Sequence, residues 1–338
     1  MEIRIGRMEK GSLNNICDVP GVRVGHCTVD NERHKTGVTV ILPCEDDIFC
    51  RKMVAASHVL NGFGKTAGLV QIEELGTLET PIALTNTLNV GLVHDAMVEY
   101  MCREAENAGY VIRSVNPVVC VCNDASLNDI RHRAVGQKEV FSAIESASAD
   151  FALGDVGAGK GMTCHDLKGG VGSASRIVEI AGERFTVGVL VQTNHGSLSD
   201  LTINGQEVGD EINRRIQQDA PDEGSCIMIV GTDLPVTSRQ LKRIIKRCSV
   251  GLARLGSYIG HGSGEVMVGF STANRIPEEG SVLQLRCMHE SHINAAFRAV
   301  AEATEEAVLR SMLHAHTVTG YSGKVRHALC EFEDIIKE

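Results

Sequence analysis

Between Ala220 and Val230 a polar, turn-forming run (Pro221, Asp222, Glu223, Gly224) becomes an apolar, β-prone one (Cys226, Ile227, Met228, Ile229, Val230) with no spacer. Pro, Asp and Gly interrupt regular structure, whereas an unbroken apolar run of this length marks a buried strand. The junction falls at Gly224-Ser225, which makes Ser225 the first residue of a core strand. Taken alone, that is where a loop ends and a strand begins. The design recurs, however. Pro81 to Thr87, Asn116 to Asp124, Phe185 to Gly196 and Gly260 to Phe270 each join a β-prone run to glycines, amides or hydroxyls at one end. Polar strand ends of this kind often line sites.

Helical periods alternate with these strands. Leu92, Val93, Ala96, Met97, Tyr100 and Met101 predict an amphipathic helix over Val90 to Ala108, packed on a sheet. Leu241, Ile244, Ile245, Cys248, Leu252 and Leu255 predict another, capped by Ser238 and stopped by Gly256. The alanine-rich segment from Ile293 to His314 predicts a long helix covering the core. From Gly205 to Glu223 no period stands out, so a surface linker is expected there.

The chain has 338 residues, 43 % of them apolar, enough for one large α/β unit or two domains. Its net charge of −10 argues against nucleic acid or an anionic membrane as the main partner. Arg239, Lys242, Arg243, Lys246 and Arg247 form a basic helix face, but no aromatic residue interleaves with them. They read as a solvated or subunit-contacting face. No apolar run approaches the ~18 residues of a membrane span, and Met1 to Arg4 opens no signal-like stretch, so the cytoplasm is the expected location. The 12 cysteines are dilute in a chain of this length and predict free, mostly buried thiols in a reducing compartment.

No cofactor or metal is expected. Gly154 to Gly161 nearly spells a phosphate-binding loop, yet Gly161 stands where a magnesium-holding Ser or Thr belongs, so a tight structural loop is the better reading. His289-Glu290-Ser291-His292 lacks one residue of the zinc-protease spacing.

Three strand-end sites remain: Asn194, Ser225, and the pair Ser263 and Glu265, which share a face if the chain is extended. They stand in order with Asp18 to His26, Leu78 to Thr87, Val156 to Gly159 with Gly161-Met162, Lys168 to Gly170 with Ala174 to Arg176, and Phe270 to Asn274. As a set these segments resemble the DmpA-type family of L-aminopeptidase/D-esterases and β-peptidyl aminopeptidases, which cut themselves at a Gly-Ser bond and use the freed serine. The resemblance implies an α/β fold, an αββα sandwich with two sheets between helical layers. It also implies a single domain over residues 1–338, cleaved between Gly224 and Ser225 into chains 1–224 and 225–338, and a homo-oligomer, a tetramer by that likeness.

The chemistry suits the residues. A serine hydroxyl needs a base, and an N-terminal serine carries one in its own α-amine, whose unperturbed pKa is about 7.7 to 8.0. By the resemblance, Ser263 and Glu265 orient and tune Ser225, and Asn194 donates to the oxyanion. The implied substrate is a small peptide, amide or ester.

Other positions depart from the better-known aminopeptidases, which lead one to expect an acid near Val121 to bind the substrate amine and an aromatic residue near Asn123. Lys65 likewise stands where an acid is expected. Asn123 and Asp124, at the same strand end, are the candidates for substrate contact. Two alternatives stay open: an acyltransferase on the same fold, as in the ornithine acetyltransferases, and an uncleaved binding or scaffold protein.

Overall fold

The computed structural model describes residues 3–218, 220 and 224–336. In chain order its strands are β1 (Arg23–Asp30), β2 (Lys35–Leu42), β3 (Arg51–Gly62), β4 (Thr77–Leu78), β5 (Ile82–Asn86), β6 (Val118–Cys122), β7 (Thr163–Cys164) and β8 (Leu167–Lys168). They continue with β9 (Val171–Ile180), β10 (Glu183–Asn194), β11 (Thr202–Ile203), β12 (Gln206–Glu207), β13 (Ser225–Thr232), β14 (Gly264–Pro277), β15 (Val318–Thr319) and β16 (Val325–Arg326). The helices that matter below are α1 (Leu69–Leu75), α2 (Val90–Ala108), α3 (Gln137–Glu145), α4 (Gly209–Ile216), α5 (Ser238–Ile245), α6 (Cys248–Arg254) and α7 (Ile293–Leu313).

Two sheets carry the fold. One has the order β1-β2-β5-β6, and the other β4-β3-β14-β13-β10-β9. The pairs β5/β6 and β13/β14 are parallel, and the other neighbours run antiparallel.

Side-chain alternation along the apolar runs builds the layers. On β13, Ile227 and Ile229 pack with Leu84, Cys120 and Cys122 of the opposing sheet. Cys226, Met228 and Val230 point the other way, into a cluster with Leu241 and Ile244 of α5 and Val300 and Ala303 of α7. On β6, Val119 and Val121 face Val93, Ala96 and Met97 of α2 and Val140 of α3. Each central strand is therefore covered on both sides, giving helix, sheet, sheet and helix in succession. This is the αββα sandwich expected from the sequence.

Local expectations fared unevenly. The helix expected over Val90 to Ala108 forms over that range, and the C-terminal one runs from Ile293 to Leu313. The basic helix is capped by Thr237 rather than Ser238, with Gln240 completing a capping box, and it breaks at Lys246 and Arg247 into α5 and α6. Of its cations, Arg239 and Arg243 pair with Glu290, Lys242 pairs with Glu73, and Arg247 lies 3.8 Å over the Phe297 ring.

The stretch read as a linker from Gly205 holds β12 and α4; of the residues read there, Asp219 and 221–223 lie outside the described ones. Asp210 and Glu211 in the first turn of α4 and Arg214 and Arg215 in its last complement the helix dipole, and Ile212 is its buried apolar anchor. The phosphate-loop look-alike is a buried turn at Gly157–Gly159, and Lys160 is held by Asp30 at 2.8 Å and Asp155 at 3.0 Å. Among the described residues, no helix is long and apolar enough to cross a membrane.

Candidate active site

Strand register brings the distant residues together. Asn194, the last residue of β10, pairs with Ser225, the first of β13, and Ser225 pairs in turn with Gly264, the first of β14. Three strand ends thus meet at one level. Ser225 is buried, and its Oγ has no hydrogen-bond partner among the described residues.

The residue before it is a glycine for a steric reason. A Cβ on Gly224 would stand 2.0 Å from the Asn194 carbonyl oxygen and 3.4 Å from Asn194 Nδ2. The Gly224 carbonyl oxygen accepts a hydrogen bond of 2.9 Å from the Gly264 amide. Such a donor polarises the carbonyl between Gly224 and Ser225 and stabilises negative charge developing on its oxygen.

Asn194 is oriented from behind. The Thr163 amide donates to its Oδ1 at 3.0 Å, which leaves Nδ2 on the Gly224 side as a donor. Ser263 and Glu265 meet as the two-residue spacing requires: the Ser263 hydroxyl donates to Glu265 Oε1, and neither residue is exposed to solvent. Asn61 fixes the loop that carries Ser263, its Nδ2 donating to the Gly260 carbonyl at 3.0 Å, while the Phe63 amide donates to the Ser263 carbonyl at 3.3 Å.

Ser225, Gly224 and Asn194 open onto a cavity of about 390 Å³ whose wall includes Val121, Asn123 and Thr163. Asn123 is exposed there and accepts from the Ala125 amide at 2.9 Å. Asp124 does not line it. Its carboxylate is buried, with Thr36 Oγ1 donating to one oxygen at 2.5 Å and Asn128 Nδ2 to the other at 3.0 Å. Burial pushes the carboxyl up to about 6, although these bonds pull it down. Asp124 thus secures the turn that presents Asn123.

Some members of the site left no trace in the sequence. Thr163 and Gly264 act through their backbone amides, and the Asn61 side chain acts on a loop about 200 residues away, which no residue pattern announces. Nor does any spacing unite Cys164, His165 and His195, which the fold gathers so that one ligand-type atom from each lies within 4.8 Å of the others, buried beside Asn194. His165 Nδ1 lies 2.9 Å from the Ser197 carbonyl, which would leave Nε2 as an acceptor. This donor set is of the kind that suits zinc.

The sandwich and its convergent strand ends define a class of protein, the N-terminal-nucleophile hydrolases. The model of Peptidase family S58 matches residues 14–326, and the chain belongs to that family. It is 37 % identical over 335 residues to the beta-peptidyl aminopeptidase BapA of Sphingosinicella xenopeptidilytica, covering 92 % of this chain and 83 % of that protein.

Solved structures agree. The PH0078 protein of Pyrococcus horikoshii OT3 superimposes with a TM-score of 0.93 at 46 % identity, covering 99 % of this chain and 96 % of that one. A Burkholderia sp. beta-aminopeptidase gives 0.91 at 38 %, with coverage of 99 % and 96 %. The L-aminopeptidase D-Ala-esterase/amidase of Ochrobactrum anthropi, described as a prototype of the serine aminopeptidases and a variant of the Ntn hydrolase fold, gives 0.91 at 31 %, with coverage of 98 % and 96 %. The chain is accordingly a hydrolase of the aminopeptidase type with an N-terminal nucleophile.

Proposed function

We propose that the chain cuts itself between Gly224 and Ser225 and then uses Ser225 to release N-terminal residues from small peptides, amides or esters. The observation that carries this reading is the Gly264 amide on the Gly224 carbonyl, directly beside a buried serine hydroxyl without a hydrogen-bond partner among the described residues.

In the precursor, Ser225 Oγ attacks the Gly224 carbonyl carbon. The oxyanion forms on the oxygen that Gly264 N–H already holds, the Oγ proton passes to the Ser225 nitrogen, and collapse breaks the C–N bond. The Gly224 acyl group now sits on Oγ as an ester, and the Ser225 nitrogen has become a free α-amine. Water hydrolyses the ester and leaves two chains. In the mature enzyme the α-amine takes the Oγ proton as Oγ attacks the substrate carbonyl, then passes it to the departing amine or alcohol. Asn194 Nδ2 donates to the substrate oxyanion, and the Ser263–Glu265 pair fixes the hydroxyl and amine of Ser225. Water then attacks the acyl-serine and frees the acyl product.

The named activities of the relatives support a peptide or amide substrate, and the cavity admits a small one. The likeness to the family supports a homo-oligomer, a tetramer, and twelve cysteines outside disulfides suit the reducing cytoplasm. Mass spectrometry of purified protein tests the reading: chains of 224 and 114 residues (338 − 224) are expected, the second beginning at Ser225. An intact chain after long incubation, unreactive to a serine-directed acylating reagent, would favour a scaffold protein instead.

A further inference from the structure

We propose that the catalytic cavity selects substrates carrying a carboxylate near the scissile bond. The proposal rests on the catalytic reading above and names the substrate class of the same site. It follows from the charges on the cavity wall. Among the described residues these are Lys65, Lys324 and Arg326 against the single carboxylate of Asp166. The excess is positive, although the chain as a whole carries −10.

The one acid is already committed. Arg326 Nη1 donates to the Asp166 carbonyl at 2.8 Å and to its Oδ1 at 3.2 Å, and the Ala220 amide donates to Oδ2 at 3.0 Å. Asp166 is thus poorly placed to receive an ammonium group. Arg326 is 6 % exposed, and its Nε is buried with no hydrogen-bond partner among the described residues. Guanidinium nitrogens carry five donors, so one carboxylate oxygen and one carbonyl leave capacity for an incoming anion. Among the described residues, Lys65 and Lys324 form no ion pair. Burial, with the Arg326 charge as second cause, holds Lys324 below the ordinary lysine range against the opposing pull of Asp166, as expected of two cations sharing a wall. A carboxylate entering this cavity relieves that repulsion, whereas a second ammonium adds to it.

Two matched substrate pairs test the idea on the processed enzyme. Glutamyl against glutaminyl p-nitroanilide places the carboxylate on the released residue, and alanyl-glycine against alanyl-glycinamide places it on the leaving group. In at least one pair the charged member should have about tenfold higher kcat/KM at low salt, the scale of a charge-assisted bond. That ratio should fall with added salt, and it should approach one in the Lys65→Gln/Lys324→Gln double variant. A ratio of one or below in both pairs, or a preference the double variant leaves intact, overturns the proposal.

Should neither pair be turned over, calorimetric titration with glutarate and glutaramide makes the same comparison by binding. Tighter glutarate binding supports the proposal, and equal or weaker binding overturns it. Mass spectrometry separates the two levels. A chain that never exposes Ser225 counts against the catalytic reading. A processed chain without the preference counts against the carboxylate alone.

Discussion

Replacing Gly224 by alanine is the smallest change that should stop self-cleavage while leaving Ser225 in place. The added Cβ would lie 2.0 Å from the Asn194 carbonyl oxygen, where real contacts stay beyond 3.0 Å. Strand β13 or β10 must therefore yield by about an ångström at the paired ends, or Gly224 must rotate. Either motion disturbs the 2.9 Å bond from the Gly264 amide to the scissile carbonyl. Overpacking of this sort costs about 1–3 kcal/mol in stability. A misplacement of ~1 Å at a reacting centre can cost about 10² in rate. Incubating purified Gly224→Ala and following the intact mass should show processing slowed by about that factor, with thermal unfolding confirming a folded chain. Cleavage at the wild-type rate by a folded variant would refute the argument that this carbonyl is held for attack.

Asn194→Ala should lower turnover of the processed enzyme by about 10² to 10³, the usual worth of one oxyanion donor; wild-type kcat would remove Asn194 from the site. Asp124, with its carboxyl pushed up to about 6, holds its proton more tightly in the native chain than in the unfolded one. Its stabilising contribution is complete below its ordinary value of 3.8 and is lost as pH rises through about 6. Urea midpoints should carry that decline, and Asp124→Asn should flatten it; an unchanged slope would assign the effect elsewhere. Burial pushes the Cys122 thiol up to about 12, whereas Cys287 and Cys330 are exposed. A thiol reagent on the native protein should modify the exposed pair and spare both Cys122 and activity; inactivation with label on Cys122 would contradict this.

What could be read in the sequence was what a single segment encodes. The run from Ser225 to Val230 is apolar throughout, so a core strand was evident, but a continuous run hides which residues face which layer. Only the structure assigns Ile227 and Ile229 to the space between sheets and Cys226 and Met228 to the helices. Helix α4 escaped because eight residues with Ile212 as the one buried apolar side chain carry too little period. Two adjoining hydroxyls, Thr237 and Ser238, compete for the cap, and Gln240, three residues after Thr237, is the signal that decides between them. At the site, Ser263 and Glu265 were legible through their spacing. Thr163, Asn61 and Arg326 were not, since each acts on residues far away in the chain.

The central claim is that Ser225 becomes an N-terminus. Intact-mass and N-terminal analysis of the wild type beside Ser225→Ala tests it most directly. The account predicts a second chain beginning at Ser225 in the wild type and a single uncut, inactive chain in the variant. A wild type that stays whole yet hydrolyses peptides, or a Ser225→Ala chain that is still cut at this bond, would contradict it.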